Sequence, residues 1–256
     1  KDFHFALPGS FDDGIRPAKL PDSGCAKAGV IAGHNQMLPR VQRCVNGLAQ
    51  NRIHAQKNGV LFQIDMHLKK NSPKGIAINK IPIRRAGELF GIVHFVFFSP
   101  EDLNIIKEGP AGRRRFIDLE LSQLDKVYLS NLSNYNRIIN QRNSLLKEIV
   151  YQKDLIDTLD IWDMQLAEYG TKIIERRKKF IDEVNRIIGG IHEKLTGGRE
   201  NIELSYESSA GELSMEEMLR KNRERDIRFK STSAGPHRDD LCFRVGDLDI
   251  RKFGSQ

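Results

Sequence analysis

No run of about 18 apolar residues occurs in this 256-residue chain, so no segment is expected to cross a membrane as a helix. Cysteine is scarce. Cys25, Cys44 and Cys242 are too few and too scattered for a disulfide framework, and a reducing, cytoplasmic setting is the expectation. The opening Lys1-Asp2-Phe3-His4 carries no apolar signal-peptide core. No Gly-Lys dipeptide occurs anywhere. That excludes a P-loop, in which backbone amides wrap phosphate and the Lys adds charge. Gly9-Ser10-Phe11-Asp12-Asp13-Gly14 has the glycine spacing, but Ile15-Arg16 follows it and its two aspartates would repel phosphate. The dinucleotide pattern Gly-x-Gly-x-x-Gly is missing too.

Residues for bond-making chemistry are equally thin. His237-Arg238-Asp239 has the order of a kinase catalytic loop, but the Asn needed five residues later is Arg244 and no Asp-Phe-Gly follows. A turn before a hairpin, with Arg238 and Asp239 in local polar contacts, is the expectation there. Cys25, His34, Cys44 and His54 fall nine or ten residues apart, whereas zinc ligands pair two to four residues apart. No catalytic residue and no metal ligand is therefore assigned.

What is present is a folded composition with positive charge. Hydrophobic residues make up 39%, charged residues 29%, and the net charge is +7. Length allows one large domain or two small ones. The charge favours a polyanionic partner, nucleic acid before membrane.

Residues 1–58, with Pro8, Pro17, Pro21 and Pro39, show neither a helix nor a strand period and are expected to be irregular or disordered. Order is expected from about residue 59. Leu61–Leu68 alternates like a half-buried strand. Ile76–Ile83 reads as a hairpin with Asn79-Lys80 at its tip and Pro82 on an edge. Ile92–Phe98 is a nearly continuous apolar run that suits a strand buried on both faces. Ser99-Pro100-Glu101-Asp102 has the chemistry of a helix start, and Gly109-Pro110 stops that helix.

From 125 to about 200 the period changes. Tyr128, Leu132, Tyr135, Ile139, Leu146 and Ile149 recur near every 3.5 residues, with Arg142 filling the remaining slot. Gln152-Lys153-Asp154 breaks the run. Leu155, Leu159, Trp162, Leu166, Tyr169, Ile173, Phe180, Val184, Ile187 and Ile191 resume it. Two stripes joined by a short break predict two antiparallel helices, with Trp162 and the tyrosines as their core rather than as platforms for bases. Gly197-Gly198 ends the second. A strand at Ile202–Tyr206, a charged helix at Ser214–Arg228 and a hairpin across Gly246-Asp247 follow. The expected architecture is α/β: body strands and helices at 59–124, a helical arm at 125–200, and a return to the body at 201–256. A separate coiled-coil domain between two unrelated pieces is the alternative.

Two basic clusters stand out. Arg113-Arg114-Arg115 spans most of a helix circumference, so at least one guanidinium should point away from solvent; it reads as a phosphate contact or as a face anchored to Asp118 or Glu120. Arg176-Arg177-Lys178-Lys179 reads as the wet face of a long helix, with contact to DNA backbone as the alternative.

Phe98-Ser99-Pro100-Glu101-Asp102-Leu103, Arg113–Asp118, Tyr135-Asn136-Arg137 with Gln141-Arg142-Asn143, and Gly235-Pro236-His237-Arg238-Asp239-Asp240 together resemble the RecF family of bacterial recombination-repair proteins over about 60–256. The resemblance implies a fragment of an ABC/SMC-type ATPase head interrupted by a helical second domain. It implies DNA replication and repair, the SOS response, and DNA binding at single-stranded or gapped sites. It also implies ATP and Mg²⁺ as cofactors of the complete protein, ATP-dependent homodimers, and RecO and RecR as partners. Ser255 and Gln256 match the start of the family's signature motif, so they are the nucleotide-binding candidates. The P-loop is missing and the Walker B acids would lie downstream. This chain is therefore expected to hold no nucleotide tightly and to turn over no ATP. A coiled-coil-like interaction module without a nucleic-acid role is the competing reading.

Overall fold

The computed structural model describes residues 28–31, 37–41, 48–57, 59–69, 75–97, 102 and 104–253. They fall into two compact units, one holding 104–121 and 127–253, the other the described residues up to 102 together with 122–126.

The smaller unit is built on strands. Strand β1 (Ala28–Ile31) pairs antiparallel with β7 (His94–Phe97). A five-stranded antiparallel sheet runs in the order β2 (Met37–Val41), β3 (Leu48–Lys57), β4 (Val60–Lys69), β5 (Gly75–Ile78), β6 (Ile81–Ile83). Strands β1 to β3 fall within residues 1–58, where irregular chain is expected; the rest of that stretch lies outside the described residues. The sequence of β3 is mostly polar, so its alternation is faint there. Ala55 and Ile64 are buried, packed with Phe62, Met66, Ile76 and Ile78. The β5–β6 hairpin turns at Asn79 and Lys80, both at positive φ (50° and 69°), as a two-residue hairpin matched to strand twist requires. Pro82 sits on the edge strand β6. Strand β7 has a single partner among the described residues, and Val96 is 40% exposed, so burial on both faces is not realised. Ser99 and Pro100 lie outside the described residues.

The larger unit is mostly helical. Helices α1 (Asn104–Lys107), α2 (Pro110–Leu124) and α3 (Lys126–Glu148) precede a 3-10 turn at Lys153–Thr158 and the 38-residue α4 (Leu159–Thr196). Pro110 opens α2, where a missing amide costs nothing. Gly197, at φ 67°, closes α4 in the left-handed cap that glycine favours. The two stripes meet as expected: Tyr128, Tyr135, Ile138 and Ile139 of α3 share one core with Leu166, Ile173, Ile174 and Ile181 of α4. Strand β8 (Ile202–Glu207), helix α5 (Met215–Phe229), strands β9 (Asp240–Val245) and β10 (Leu248–Asp249) and helix α6 (Ile250–Phe253) complete the unit. Ser214 and Glu217 form a capping box on α5.

The helices do not stand alone. Leu204 of β8 and Leu241 and Phe243 of β9 join their core. Among the described residues, however, β8, β9 and β10 pair only with one another. Within the larger unit, side chains of α2 reach the start of β9 and the segment before it. Among the described residues no helix is long and apolar enough to cross a membrane.

Candidate nucleic-acid interface

The three consecutive arginines of α2 go three ways. Arg113 is only 4% exposed. Its Nε and Nη2 donate to the two carboxylate oxygens of Asp240 at 2.6 and 2.9 Å, and its Nη1 donates to the Ile105 and Glu108 carbonyls. The Arg114 Nη1 donates to the Asp239 carbonyl at 2.8 Å. Arg115 is exposed.

A fourth arginine comes from α4. Arg177 is 1% exposed, which corrects its reading as part of a wet face. Its Nε donates to the Tyr128 hydroxyl (3.0 Å), its Nη2 to Asp118 (2.7 Å) and its Nη1 to the Pro236 carbonyl (2.7 Å). Tyr128 in turn donates to Asp118. Burial alone would lower the Arg177 pKa, but the neighbouring Tyr128 and Asp118 raise it overall, so the guanidinium is firmly charged.

The segment from 231 to 240 is held from every side. Arg142 of α3, fully buried, donates to Asp163, to Asp226 and to the Thr232 hydroxyl. Asn143 accepts from the Thr232 amide and Asp226 from the Ser233 amide. Ser209 and Gly235 exchange hydrogen bonds, and Asp239 accepts from the Ser209 amide and the Tyr206 hydroxyl. The Arg238 amide closes the expected turn on the Gly235 carbonyl at 2.7 Å. The Tyr135 hydroxyl lies 2.7 Å from the His237 Nδ1, whose Nε2 lies 3.2 Å from the Thr232 carbonyl. Burial raises the Tyr135 pKa and pushes His237 down to about 4. The tyrosine is thus the donor, and the imidazole is neutral with its proton on Nε2.

Between this segment and the helices lies a cleft of about 320 Å³. Arg114, Arg115, Arg177, Tyr135, Asn136 and His237 line it. Asp118 also faces it, already paired with Arg177. The cleft therefore keeps an excess of positive charge.

Of the sequence candidates, Arg114, Arg115 and Arg177 converge. Arg113 is turned to Asp240, and Arg176 has Glu183 at 3.6 Å. Lys178 and Lys179 are exposed on α4. Ser255 and Gln256 lie outside the described residues. The roles of Arg142, Tyr135 and His237 were not read from the sequence. Arg142 did carry a signal, a charge in a slot of an apolar stripe. Arg177 carried the same one, filling the gap between Ile173 and Phe180.

Comparison with known proteins gives this cleft its setting. The chain is 59% identical over 208 residues to the DNA replication and repair protein RecF of Agathobacter rectalis, covering 81% of this chain and 58% of that protein. To RecF of Lachnospira eligens it is 58% identical over 207 residues, covering 80% and 57%. The matched region is a segment of the RecF family. A solved structure of RecF with ATP, described as a recombination mediator protein of the RecFOR pathway, superposes with a TM-score of 0.72 at 32% identity, over 82% of this chain and 58% of that one. The RecF–ATPrS structure gives 0.71 at 33% identity, with the same coverage. No family model matches the chain. The α/β fold is thus that of part of a RecF ATPase head with its helical hairpin, and the chain spans somewhat under three-fifths of the relatives' length.

Proposed function

We propose that this chain serves DNA replication and repair as the central part of a RecF-type protein, and that it holds DNA by its phosphate backbone. The identity of 59% over 208 residues to a RecF protein carries the reading. It also favours this reading over a free-standing interaction module. Exposed Arg115, Lys178 and Lys179 supply charge that is not spent inside the protein, and Arg114 lines the cleft with Arg115. Arg113, Arg176 and Arg177 serve differently. With their internal partners they fix the frame that carries the others.

In the complete protein, ATP and Mg²⁺ would be held with residues this chain does not contain, and Ser255 with Gln256 would open the signature segment presented to nucleotide. RecO and RecR, an ATP-dependent homodimer and a cytoplasmic setting belong to the same reading. By itself the chain has no Gly-Lys for a P-loop and turns over no ATP.

Fluorescence anisotropy with a gapped duplex at two salt concentrations tests the DNA reading. The chain should bind at low salt and weaken as salt rises, and Lys178→Ala/Lys179→Ala should flatten that slope by roughly one to two phosphate contacts. Failure of the folded chain to bind any DNA at low salt would remove the proposal.

A further inference from the structure

The cleft differs from an exposed basic face in one respect: the carboxylates around it are already committed. Asp118 is held by Arg177 and Tyr128. Asp239 accepts from Tyr206 and Ser209, and Asp240 pairs with Arg113 and Arg251. Arg114 finds only a neutral partner, the Asp239 carbonyl, for one of its nitrogens. Burial, with Arg177 and Arg238 close by, pushes its pKa below the ordinary value against the opposing pull of Asp240 and Asp239. A guanidinium remains charged under any such shift. Arg115 beside it is exposed.

Two guanidinium forks at the rim of a recess offer planar paired donors, the geometry that fits phosphate oxygens. The recess is small. At about 320 Å³ it lies at the lower end of the range for small-ligand sites, enough for a phosphate and its sugar but not for a duplex. On the α3 side Asn136 is exposed and able to meet a sugar or a base edge, while Tyr135 is buried with its hydroxyl turned to His237. His237, the one titratable group on the opposite wall, is neutral and tied to Tyr135 and Thr232, so it adds no charge of its own.

We infer that this cleft is a discrete phosphate site that takes one phosphodiester of an unpaired DNA strand, gripped by Arg114 and Arg115, with the charge of Arg177 behind them. The inference rests on the DNA-binding function proposed above and narrows it. Only a strand free to bend its backbone can put a phosphate into a recess, whereas duplex backbone is confined to the exposed lysines.

The test compares the full chain with Arg114→Ala/Arg115→Ala and with Lys178→Ala/Lys179→Ala, each checked for an unchanged thermal transition in phosphate-free buffer. Anisotropy is read with a labelled oligo-dT and with a duplex of equal length. Thermal shift is read with inorganic phosphate. The arginine variant should lose roughly tenfold on oligo-dT and less than about twofold on duplex, and should lose the phosphate-dependent shift seen with the unaltered chain. The lysine variant should show the reverse preference. Equal losses on both strands, or none, overturn the cleft assignment and leave the DNA function standing. If the unaltered chain binds no DNA but keeps a phosphate shift that the arginine variant lacks, the DNA function falls and a plain anion site remains.

Discussion

Arg113 and Asp240, 127 positions apart in the chain, meet in a two-pronged ion pair with contacts of 2.6 and 2.9 Å. Arg251 takes a second edge of the same carboxylate at 2.9 Å. The pair fastens the first turn of α2 to the start of β9, two elements separated in sequence by the whole helical arm. Burial alone would raise the Asp240 pKa, but its bonds to Arg113 hold it below the ordinary carboxylate range.

Removing Arg113 leaves the half-buried Asp240 with Arg251 as its cationic partner and the Ile105 and Glu108 carbonyls without their donor. Arg251 still reaches Asp240, so Arg113→Ala should destabilise the larger unit by about 2–3 kcal/mol in urea unfolding, read from the midpoint at unchanged slope. Arg113→Lys should recover little, because an ammonium cannot serve both carboxylate oxygens and the Ile105 and Glu108 carbonyls. A loss below about 1 kcal/mol would mean the pair is solvated and the join is made elsewhere.

A pH effect follows from His237. Burial, aided by Arg238 and Arg114 nearby, pushes it from 6.5 down to about 4, against the opposing pull of the Thr232 carbonyl. As pH falls below 6.5 the unfolded chain takes a proton that the folded chain refuses until about pH 4. The unfolded state thus binds more protons in that window, and stability falls as pH drops from 6.5 to 4. The difference of about 2.5 units corresponds to roughly 3 kcal/mol. His237→Asn should flatten the profile there. Asp240, with its depressed pKa, adds acid sensitivity only below its ordinary 3.8, so the two contributions separate along the pH axis. An unaltered profile in the Asn variant would show that His237 is solvated.

Gly235 is the tightest point of the pinned segment. Its φ of 129° is one that side chains rarely adopt, and a Cβ there would lie 2.5 Å from the Tyr135 hydroxyl and 2.7 Å from the Met215 Cε. Gly235→Ala should cost about 3 kcal/mol and push the Tyr135 hydroxyl away from His237. Pairing it with Tyr135→Phe should recover part of the steric loss but not the backbone strain. Full tolerance of Gly235→Ala would show that the segment repacks freely.

Period and punctuation made much of this architecture readable. The hairpin at Asn79-Lys80, the stop at Gly197 and the cap at Ser214 are local, set by residues within a few positions of one another. The helical pair was readable because its stripes run long. What could not be read is long-range and polar. Nothing near Arg113 in sequence announces Asp240, and nothing near Arg177 announces the Pro236 carbonyl; both partners arrive only when the arm folds back. Arg142 and Arg177 show why a charge inside an apolar stripe has two meanings, a gap in the core or a buried cross-link. Only the carboxylates on the facing elements decide between them. Strand β3 escaped notice for the opposite reason, because its few apolar residues among polar ones do not establish a period.

The covering of β8 supplies a last test, and it probes how the arm is joined to the sheet. Asn185 of α4 donates from its amide nitrogen to the Leu204 carbonyl at 2.7 Å and accepts from the Leu204 amide at 2.9 Å. One side chain thereby does what a neighbouring strand would do, closing both backbone groups of a residue on the free edge of β8. Leu204 is itself part of the helical core, so water has little access to those groups once Asn185 is gone. Asn185→Leu keeps the volume and removes both bonds. It should cost about 2 kcal/mol, and amide exchange should quicken at Leu204 more than in β9, where the ladder is intact. Asn185→Asp retains the acceptor and loses the donor, so it should protect the Leu204 amide while leaving its carbonyl unpaired. Equal exchange at Leu204 in all three proteins would mean that packing alone seals the edge of β8, and that the arm is held to the sheet without this bond pair.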